Sequence, residues 1–151
     1  MPVNPEFIGR AYPASGVYEV SREKIRDFAV AIGDPNPLYL DAGAARAAGH
    51  PDVVAPPTFL TVLGFRYADD GPIADPALGL DYSRVVHGEQ RFVAHRPVYA
   101  GDQLTSTQFV DAVRTVAGND LVTLRTEVAG ADGEPVADIY MSLVSRAAEE
   151  K

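Results

Sequence analysis

The second half of the chain alternates apolar and polar residues with a period of two, and this pattern constrains the fold more than any other feature. Because side chains alternate between the two faces of a strand, such a run predicts a strand with one buried face. Two runs have this form, with inward-facing residues Val122, Leu124, Thr126 and Val128, then Ala137, Ile139, Met141 and Leu143. The turn residues Gly130-Ala131-Asp132-Gly133 between them predict a hairpin. Residues 84–92 and 104–113 predict two further strands.

The first half of the chain is predicted to be mostly helical. Ser21 offers a side-chain oxygen as an N-cap, and Gly33 ends the helix that follows. Within this helix the residues at i, i+3, i+4 and i+7 are apolar and share one face, and they are Ile25, Phe28, Ala29 and Ile32. A second, alanine-rich helix is predicted between Asp41 as its cap and Gly49.

A third helix is predicted after the pair Pro56-Pro57, where residues 58–65 are apolar and almost uncharged before Arg66. Pro57 suits a first helical turn, because the N–H group it lacks would have no partner there. Several antiparallel strands and one apolar helix within 151 residues predict an α+β fold of one domain, with a curved antiparallel sheet around a buried helix.

Composition excludes several functions. There is no cysteine, which removes disulfides, thiolate metal sites and cysteine nucleophiles. The net charge of −8, from 13 basic and 21 acidic residues, argues against nucleic-acid binding. No apolar stretch approaches the ~18 residues of a membrane span, so a soluble cytoplasmic protein is expected. His50, His87 and His95 match no common metal spacing, and neither a metal nor a cofactor is expected.

The densest cluster of unusual residues is Gly33-Asp34-Pro35-Asn36-Pro37-Leu38-Tyr39. One interpretation is structural, since Gly, Asp, Asn and Pro are the residues that stop a helix and form a turn. The other is functional, because two prolines stiffen the segment, and a rigid loop could hold the Asp34 carboxylate and the Asn36 carboxamide in one geometry towards a substrate. Spacing alone does not decide between them.

This loop resembles the Gly-Asp-x-Asn-Pro-x-His signature of the MaoC-like (R)-specific enoyl-thioester hydratases and (3R)-hydroxyacyl-thioester dehydratases. Asp34 and Asn36 match the catalytic aspartate and its neighbouring asparagine, but Tyr39 occupies the histidine position. The resemblance extends over about residues 19–144, through Val54-Ala55-Pro56-Pro57-Thr58-Phe59, Val86-His87-Gly88-Glu89-Gln90 and Arg96-Pro97-Val98. It implies the hot-dog fold, a curved antiparallel sheet around a long central helix, as one domain over residues 1–151 with a core of about 7–146.

The resemblance also implies a reaction and a site. Dehydration of a 3-hydroxyacyl thioester needs a base, an acid and a group that stabilises an enolate-like oxygen. In the family an Asp/His pair and a backbone N–H at the start of the central helix supply them, and a helix N-terminus favours developing negative charge. The catalytic positions are thus Asp34, Asn36 and Tyr39, and the substrate-binding candidates are Pro57, Thr58, Phe59, His87 and Gly88.

A tyrosine, with a reference pKa of about 10, is a poor general base at neutral pH. His87 lies on another segment and is interpreted more simply as a structural histidine. The form His87-Gly88-Glu89-Gln90 and the residues around Tyr18 are similar to those of non-catalytic subunits of actinobacterial hydroxyacyl-ACP dehydratases.

The preferred hypothesis is therefore a non-catalytic, acyl-chain-binding partner of a catalytic MaoC-like chain, acting on acyl-CoA or acyl-ACP in fatty acid metabolism. Two alternatives stay open. One is a self-sufficient homodimeric (R)-enoyl-CoA hydratase that uses Asp34, and the other is a non-enzymatic acyl-thioester-binding protein. Docking of an acidic carrier protein would need a basic patch, for which the candidates are Arg84, Arg91 and Arg96.

Overall fold

The computed structural model describes residues 2–146 and contains one five-stranded antiparallel sheet in the order β1-β3-β4-β5-β2. The strands are β1 (Tyr18–Glu19), β2 (Val85–Ala94), β3 (Gln103–Val116), β4 (Asn119–Ala129) and β5 (Pro135–Ser145). The three longest strands follow one another in the chain and pair as neighbours. The sheet is curled, and its two edges are the very short β1 and the long β2.

The period-two pattern correctly predicted the faces of β4 and β5. Val122, Leu124 and Val128 are buried, as are Ile139 and Leu143 on the paired strand. The hairpin turn lies where it was predicted, and β2 and β3 also form at the predicted places, with β3 extending further than expected. Three register shifts interrupt the ladders, between His87 and Glu89, between Val110 and Ala112, and between Val128 and Ala129.

The helices are α1 (Arg22–Ala31), α2 (Pro37–Leu40), α3 (Ala42–Ala47) and α4 (Thr61–Arg66). The predicted caps are confirmed, since the Ser21 hydroxyl accepts from the Lys24 N–H at 3.0 Å and the Asp41 carboxylate accepts from the Gly43 N–H at 2.7 Å. Ile25 and Ala29 are buried as predicted, but Ile32 is exposed because it follows the last helical turn. Short 3-10 turns lie at Pro5–Phe7, Ala68–Asp70, Pro72–Ala74 and Tyr82–Arg84.

The central helix is shorter than the sequence predicted. Residues 57–60 form turns in which the Phe59 N–H donates to Pro56 O and the Thr61 N–H donates to Thr58 O, so these bonds span three residues rather than four. The regular helix begins only at Thr61 and has six residues. The β-branched Thr61 and Val62, together with Gly64, lower its intrinsic helix propensity. The expected long central helix is therefore a turn followed by a short helix.

Two buried clusters form the core. The first lies where α1 and the turn before α4 pack on the sheet, with Ile25, Phe59 and Leu63 against Leu104 and Val128. The second lies under the N-terminal segment and contains Val3, Phe7, Leu78, Val110, Val122 and Leu143. None of the helices within residues 2–146 is long and apolar enough to cross a membrane.

Candidate functional site

The loop that carries the candidate catalytic residues begins at a tight reversal after α1. Gly33 has a φ of +72°, a left-handed conformation that glycine adopts without strain. This reversal lets the Asp34 N–H donate to Ala29 O at 3.0 Å, which satisfies a carbonyl at the end of the helix. The Asp34 side chain is exposed. The glycine is therefore required by the turn, and the turn presents the Asp34 carboxylate to solvent.

Asn36 has a structural role in the loop. Its Oδ1 atom accepts a hydrogen bond from the Leu38 N–H at 3.0 Å, and the side chain thereby caps α2. Pro37 occupies the first position of this helix, where a proline fits. The carboxamide oxygen predicted to meet a substrate is thus engaged by the backbone, and only the NH₂ group of Asn36 stays available.

Tyr39 is partly buried and packs against the first core cluster, which contains Phe59. Burial raises the pKa of the Tyr39 hydroxyl, and the negative charge of Asp34 raises that pKa further. The phenol is consequently protonated at neutral pH. It can donate a hydrogen bond, but it does not accept a proton as the family's histidine does.

A cavity of about 380 Å³ lies between the segment before α4 and the end of β2. We call it the apolar cavity, and its lining residues are Val54, Ala55, Pro56, Pro57, Phe59 and Leu60 on one side and Phe92, Ala94, His95, Arg96, Pro97, Val98 and Ala137 on the other. Of the predicted binding residues, Pro57 and Phe59 line it. Thr58 is exposed beside them and is not part of the lining.

The loop residues Asp34, Asn36 and Tyr39 do not line this cavity. The two regions are joined through the backbone, because the Val54 N–H donates to Leu38 O at 2.9 Å. Within one chain, the predicted catalytic loop and the apolar cavity are thus adjacent but separate.

His87 and Gly88 lie elsewhere, on the edge strand β2. The His87 Nε2 atom pairs with the backbone oxygen of Glu89 at 3.0 Å, across the bulge that interrupts the strand. Both residues are exposed. A Cβ atom at Gly88 would meet Ser142 O and Val144 Cγ2 at 3.4 Å, an ordinary contact distance, so strand packing does not require the glycine. The structural interpretation of His87 fits this arrangement.

One polar pair at the cavity was not predicted from the sequence. His95 lines the apolar cavity, and its Nε2–H donates to the Asp138 Oδ2 atom at 3.0 Å. The two residues are 43 positions apart, and only the pairing of β2 with β5 brings them together. The register between the predicted strands is the sequence signal that points to this pair, because it aligns the end of β2 with the start of β5. Across residues 2–146 no group of three His, Asp or Glu side chains is arranged to hold a metal ion.

The neighbouring Arg96 is engaged through both of its terminal nitrogens. Its guanidinium donates to Asp102 at 2.8 Å and to Glu134 at 3.3 Å, and the Asp102 carboxylate also accepts from the Tyr99 N–H. These bonds raise the pKa of Arg96, the bond to Asp102 most strongly. The Arg96 side chain therefore links the turn that contains Asp102 to the segment that contains Glu134.

Comparison with known proteins identifies the family. A family model described as "FAS1-like, dehydratase domain region" matches residues 6–139 of the chain. The chain belongs to the MaoC-like hot-dog dehydratase family. The expected fold and family are thereby confirmed. A UPF0336 protein of Streptomyces coelicolor is 54% identical over 150 residues, which cover 99% of each protein.

Solved structures of the MaoC-like family agree. The C-terminally truncated HadBC complex of Mycobacterium tuberculosis, a (3R)-hydroxyacyl-ACP dehydratase, contains a chain that is 32% identical, with a TM-score of 0.80 and coverage of 91% of this chain and 96% of that one. The ChsH1–ChsH2 complex of the same organism contains a chain that is 26% identical, with a TM-score of 0.72 and coverage of 90% of each. Both are complexes of two different subunits.

Proposed function

We propose that this chain is the non-catalytic, acyl-chain-binding subunit of a heteromeric (R)-enoyl-thioester hydratase or (3R)-hydroxyacyl-thioester dehydratase. The observation that carries the proposal is Tyr39 in place of the family's histidine. Its hydroxyl has a raised pKa in the fold and lies beside the negative charge of Asp34. The loop thus contains a carboxylate and a weak acid, whereas the reaction needs a second group that exchanges protons near neutrality.

The apolar cavity supports binding of an acyl chain. Its volume of about 380 Å³ is within the range of small-molecule sites. Phe59, Phe92 and Val98 give it an aliphatic and aromatic lining. An apolar acyl chain binds to such a lining because its apolar surface is removed from water. In the proposed complex this cavity holds the acyl group while the partner's loop performs the chemistry.

Two exposed features support a partner subunit. Strand β2 has ten residues and forms an edge of the sheet, where unpaired backbone groups invite pairing with another strand. The ring of Phe65 on α4 is 82% exposed, and it borders an open hollow of about 510 Å³ together with Val62. Aromatic residues are enriched in the cores of protein–protein interfaces. The heteromeric state of the HadBC and ChsH1–ChsH2 complexes favours a different chain over a second copy.

The choice between CoA and a carrier protein rests on charge. Of the three predicted basic candidates, Arg84 pairs with Asp81 at 2.9 Å and Arg96 with Asp102 at 2.8 Å. Arg91 lies 4.0 Å from the centre of the Tyr140 ring. Arginines already paired with carboxylates offer little positive potential to an acidic carrier protein. CoA thioesters are therefore the first substrates to test.

The decisive experiment measures hydration of crotonyl-CoA and longer enoyl-CoA thioesters by the purified chain, alone and with a MaoC-like partner that carries both Asp and His. We expect no turnover by the chain alone and turnover by the complex. Asp34→Asn in this chain should leave the activity of the complex unchanged, and the matched substitution in the partner's loop should abolish it.

Other outcomes overturn the proposal and indicate what replaces it. Turnover by the chain alone that Asp34→Asn abolishes would establish the homodimeric hydratase. Acyl-CoA binding without turnover in the presence of any partner would establish a binding protein.

A further inference from the structure

Apart from Arg96, His95 is the single cavity-lining side chain within residues 2–146 that carries a hydrogen-bonding group. The rest of the lining is apolar, apart from Arg96. The Arg96 guanidinium is occupied by Asp102, Glu134 and the Pro97 carbonyl. The polarity that a ligand meets in this cavity is therefore set by the imidazole of His95.

His95 is hydrogen-bonded to β5 once through its backbone and once through its ring, and its side chain is 37% exposed. The backbone N–H of His95 donates to Val136 O at 2.9 Å, and the ring Nε2–H donates to Asp138 Oδ2 at 3.0 Å. Asp138 is itself held within β5, opposite Val93 of β2 and Glu127 of β4. A ring held in this way loses little conformational entropy when it binds a ligand.

The bond to Asp138 also selects the tautomer of His95. A carboxylate only accepts hydrogen bonds, so Nε2 must carry a hydrogen. In the neutral imidazole, Nδ1 is then the bare nitrogen and accepts a hydrogen bond. No residue of the described part of the chain donates to this Nδ1 atom. A ligand that satisfies it must present an O–H or N–H group next to an apolar body.

We propose that His95, oriented by Asp138, recognises a hydroxyl group on an acyl thioester bound in the apolar cavity. The inference rests on the proposed function, because it requires an acyl thioester in this cavity. The site would distinguish a hydroxyacyl thioester from the saturated thioester of the same length. His95 contacts the ligand, and Asp138 is a positioning residue.

The test compares the affinities of a 3-hydroxyacyl-CoA and the saturated acyl-CoA of equal length, measured by titration calorimetry on the intact chain. We expect the hydroxyacyl thioester to bind about three- to tenfold more tightly, the value of one neutral hydrogen bond. His95→Phe should remove this preference and leave affinity for the saturated thioester within about twofold, because the aromatic ring still fills the cavity wall. The matched control is His50→Gln, since His50 pairs with Tyr99 away from the cavity and its loss should keep the preference.

A second measurement tests the role of Asp138 without relying on affinity. The ¹⁵N resonances of the His95 ring report which nitrogen carries the hydrogen. The hydroxyacyl thioester should shift the Nδ1 resonance of the wild-type chain, and the saturated thioester should not. Asp138→Asn should mix the two tautomers and weaken the preference for the hydroxyl.

The outcomes separate this inference from the proposed function. Equal affinities for the two thioesters, or a preference that survives His95→Phe, would overturn the role of His95 and leave acyl binding intact. If neither thioester binds to the chain or to its complex, the proposed function itself is overturned.

Discussion

Tyr39 lies within electrostatic range of Asp34, and both burial of the phenol and the negative charge of the carboxylate raise the pKa of Tyr39. The Tyr39 phenol is therefore protonated at neutral pH and interacts with the charge of the neighbouring carboxylate. The phenol can donate a hydrogen bond, and the carboxylate can accept hydrogen bonds. The loop thus carries the aspartate and the asparagine of the family's signature, with Tyr39 at the position of its histidine.

Tyr39→His should restore a proton-exchanging group to this loop. An imidazole with a pKa near 6.5 exchanges protons at neutral pH, and Asp34 is placed to interact with it. We expect the variant to hydrate crotonyl-CoA at a detectable rate, followed by the loss of absorbance of the conjugated thioester. Tyr39→Phe is the matched control, because it keeps the ring that packs on the core and should stay inactive. Complete inactivity of a folded Tyr39→His chain would show that the rest of the site has also diverged.

Asn36→Ala should destabilise the chain by about 1 kcal/mol, because the N-cap of α2 is lost. Asn36→Ser keeps a side-chain oxygen for the Leu38 N–H and should cost much less. Urea unfolding measures both. Since neither variant retains the carboxamide, a capping role alone predicts that both variant complexes keep the activity of the wild-type complex. Equal losses of stability in both would contradict that role.

The sheet, the helix caps and the family could be predicted from the sequence, because these depend on the local spacing of residues. The alternation of Val122, Leu124 and Val128 decides which face of β4 is buried, and the cap at Ser21 needs only its own helix. Pairing of His95 with Asp138 depends on strand register across 43 residues, which periodicity does not encode. The prediction of a long central helix was wrong for a different reason. Residues 57–60 form turn hydrogen bonds that replace the hydrogen bonds of a regular α-helix.

Asp52 should make stability depend on pH. Arg22 binds this carboxylate through two N–H groups, at 2.9 and 2.7 Å, and this pairing, followed by the bond from the Val53 N–H, lowers the pKa of Asp52 from 3.8 to about 2. A folded-state pKa below the unfolded one stabilises the fold above pH 3.8, and this contribution is lost as the pH falls through about 2.

Asp52→Asn should consequently lower the free energy of unfolding at pH 7 by about 1 kcal/mol, a modest value because the Arg22 side chain is largely exposed to solvent. The difference between variant and wild type should shrink as the pH is lowered towards 2. Urea unfolding at several pH values measures it, and a difference that is constant with pH would contradict the ion pair. The control is Glu23→Gln, whose exposed partner Arg26 lies 3.8 Å away and should contribute almost nothing.

Phe59 and Phe65 give a matched pair of substitutions on either side of the start of α4. Phe59 is fully buried and meets the Phe28 ring edge-on with centroids 5.5 Å apart, whereas Phe65 is 82% exposed. Phe59→Ala should lower the free energy of unfolding by about 3 to 5 kcal/mol, since it leaves a cavity in the core. Phe65→Ala should change it by less than about 0.5 kcal/mol in the isolated chain.

The same Phe65→Ala variant should weaken association with the catalytic partner, because an exposed aromatic ring gains binding energy only when another surface buries it. Titration of the isolated chain with the partner measures the dissociation constant, and we expect it to rise at least about tenfold if the ring is central to the interface. Val116→Ala is the control, since Val116 is exposed at the end of β3, distant along the chain from α4. An unchanged dissociation constant for Phe65→Ala would place the interface elsewhere, with the edge strand β2 as the next candidate.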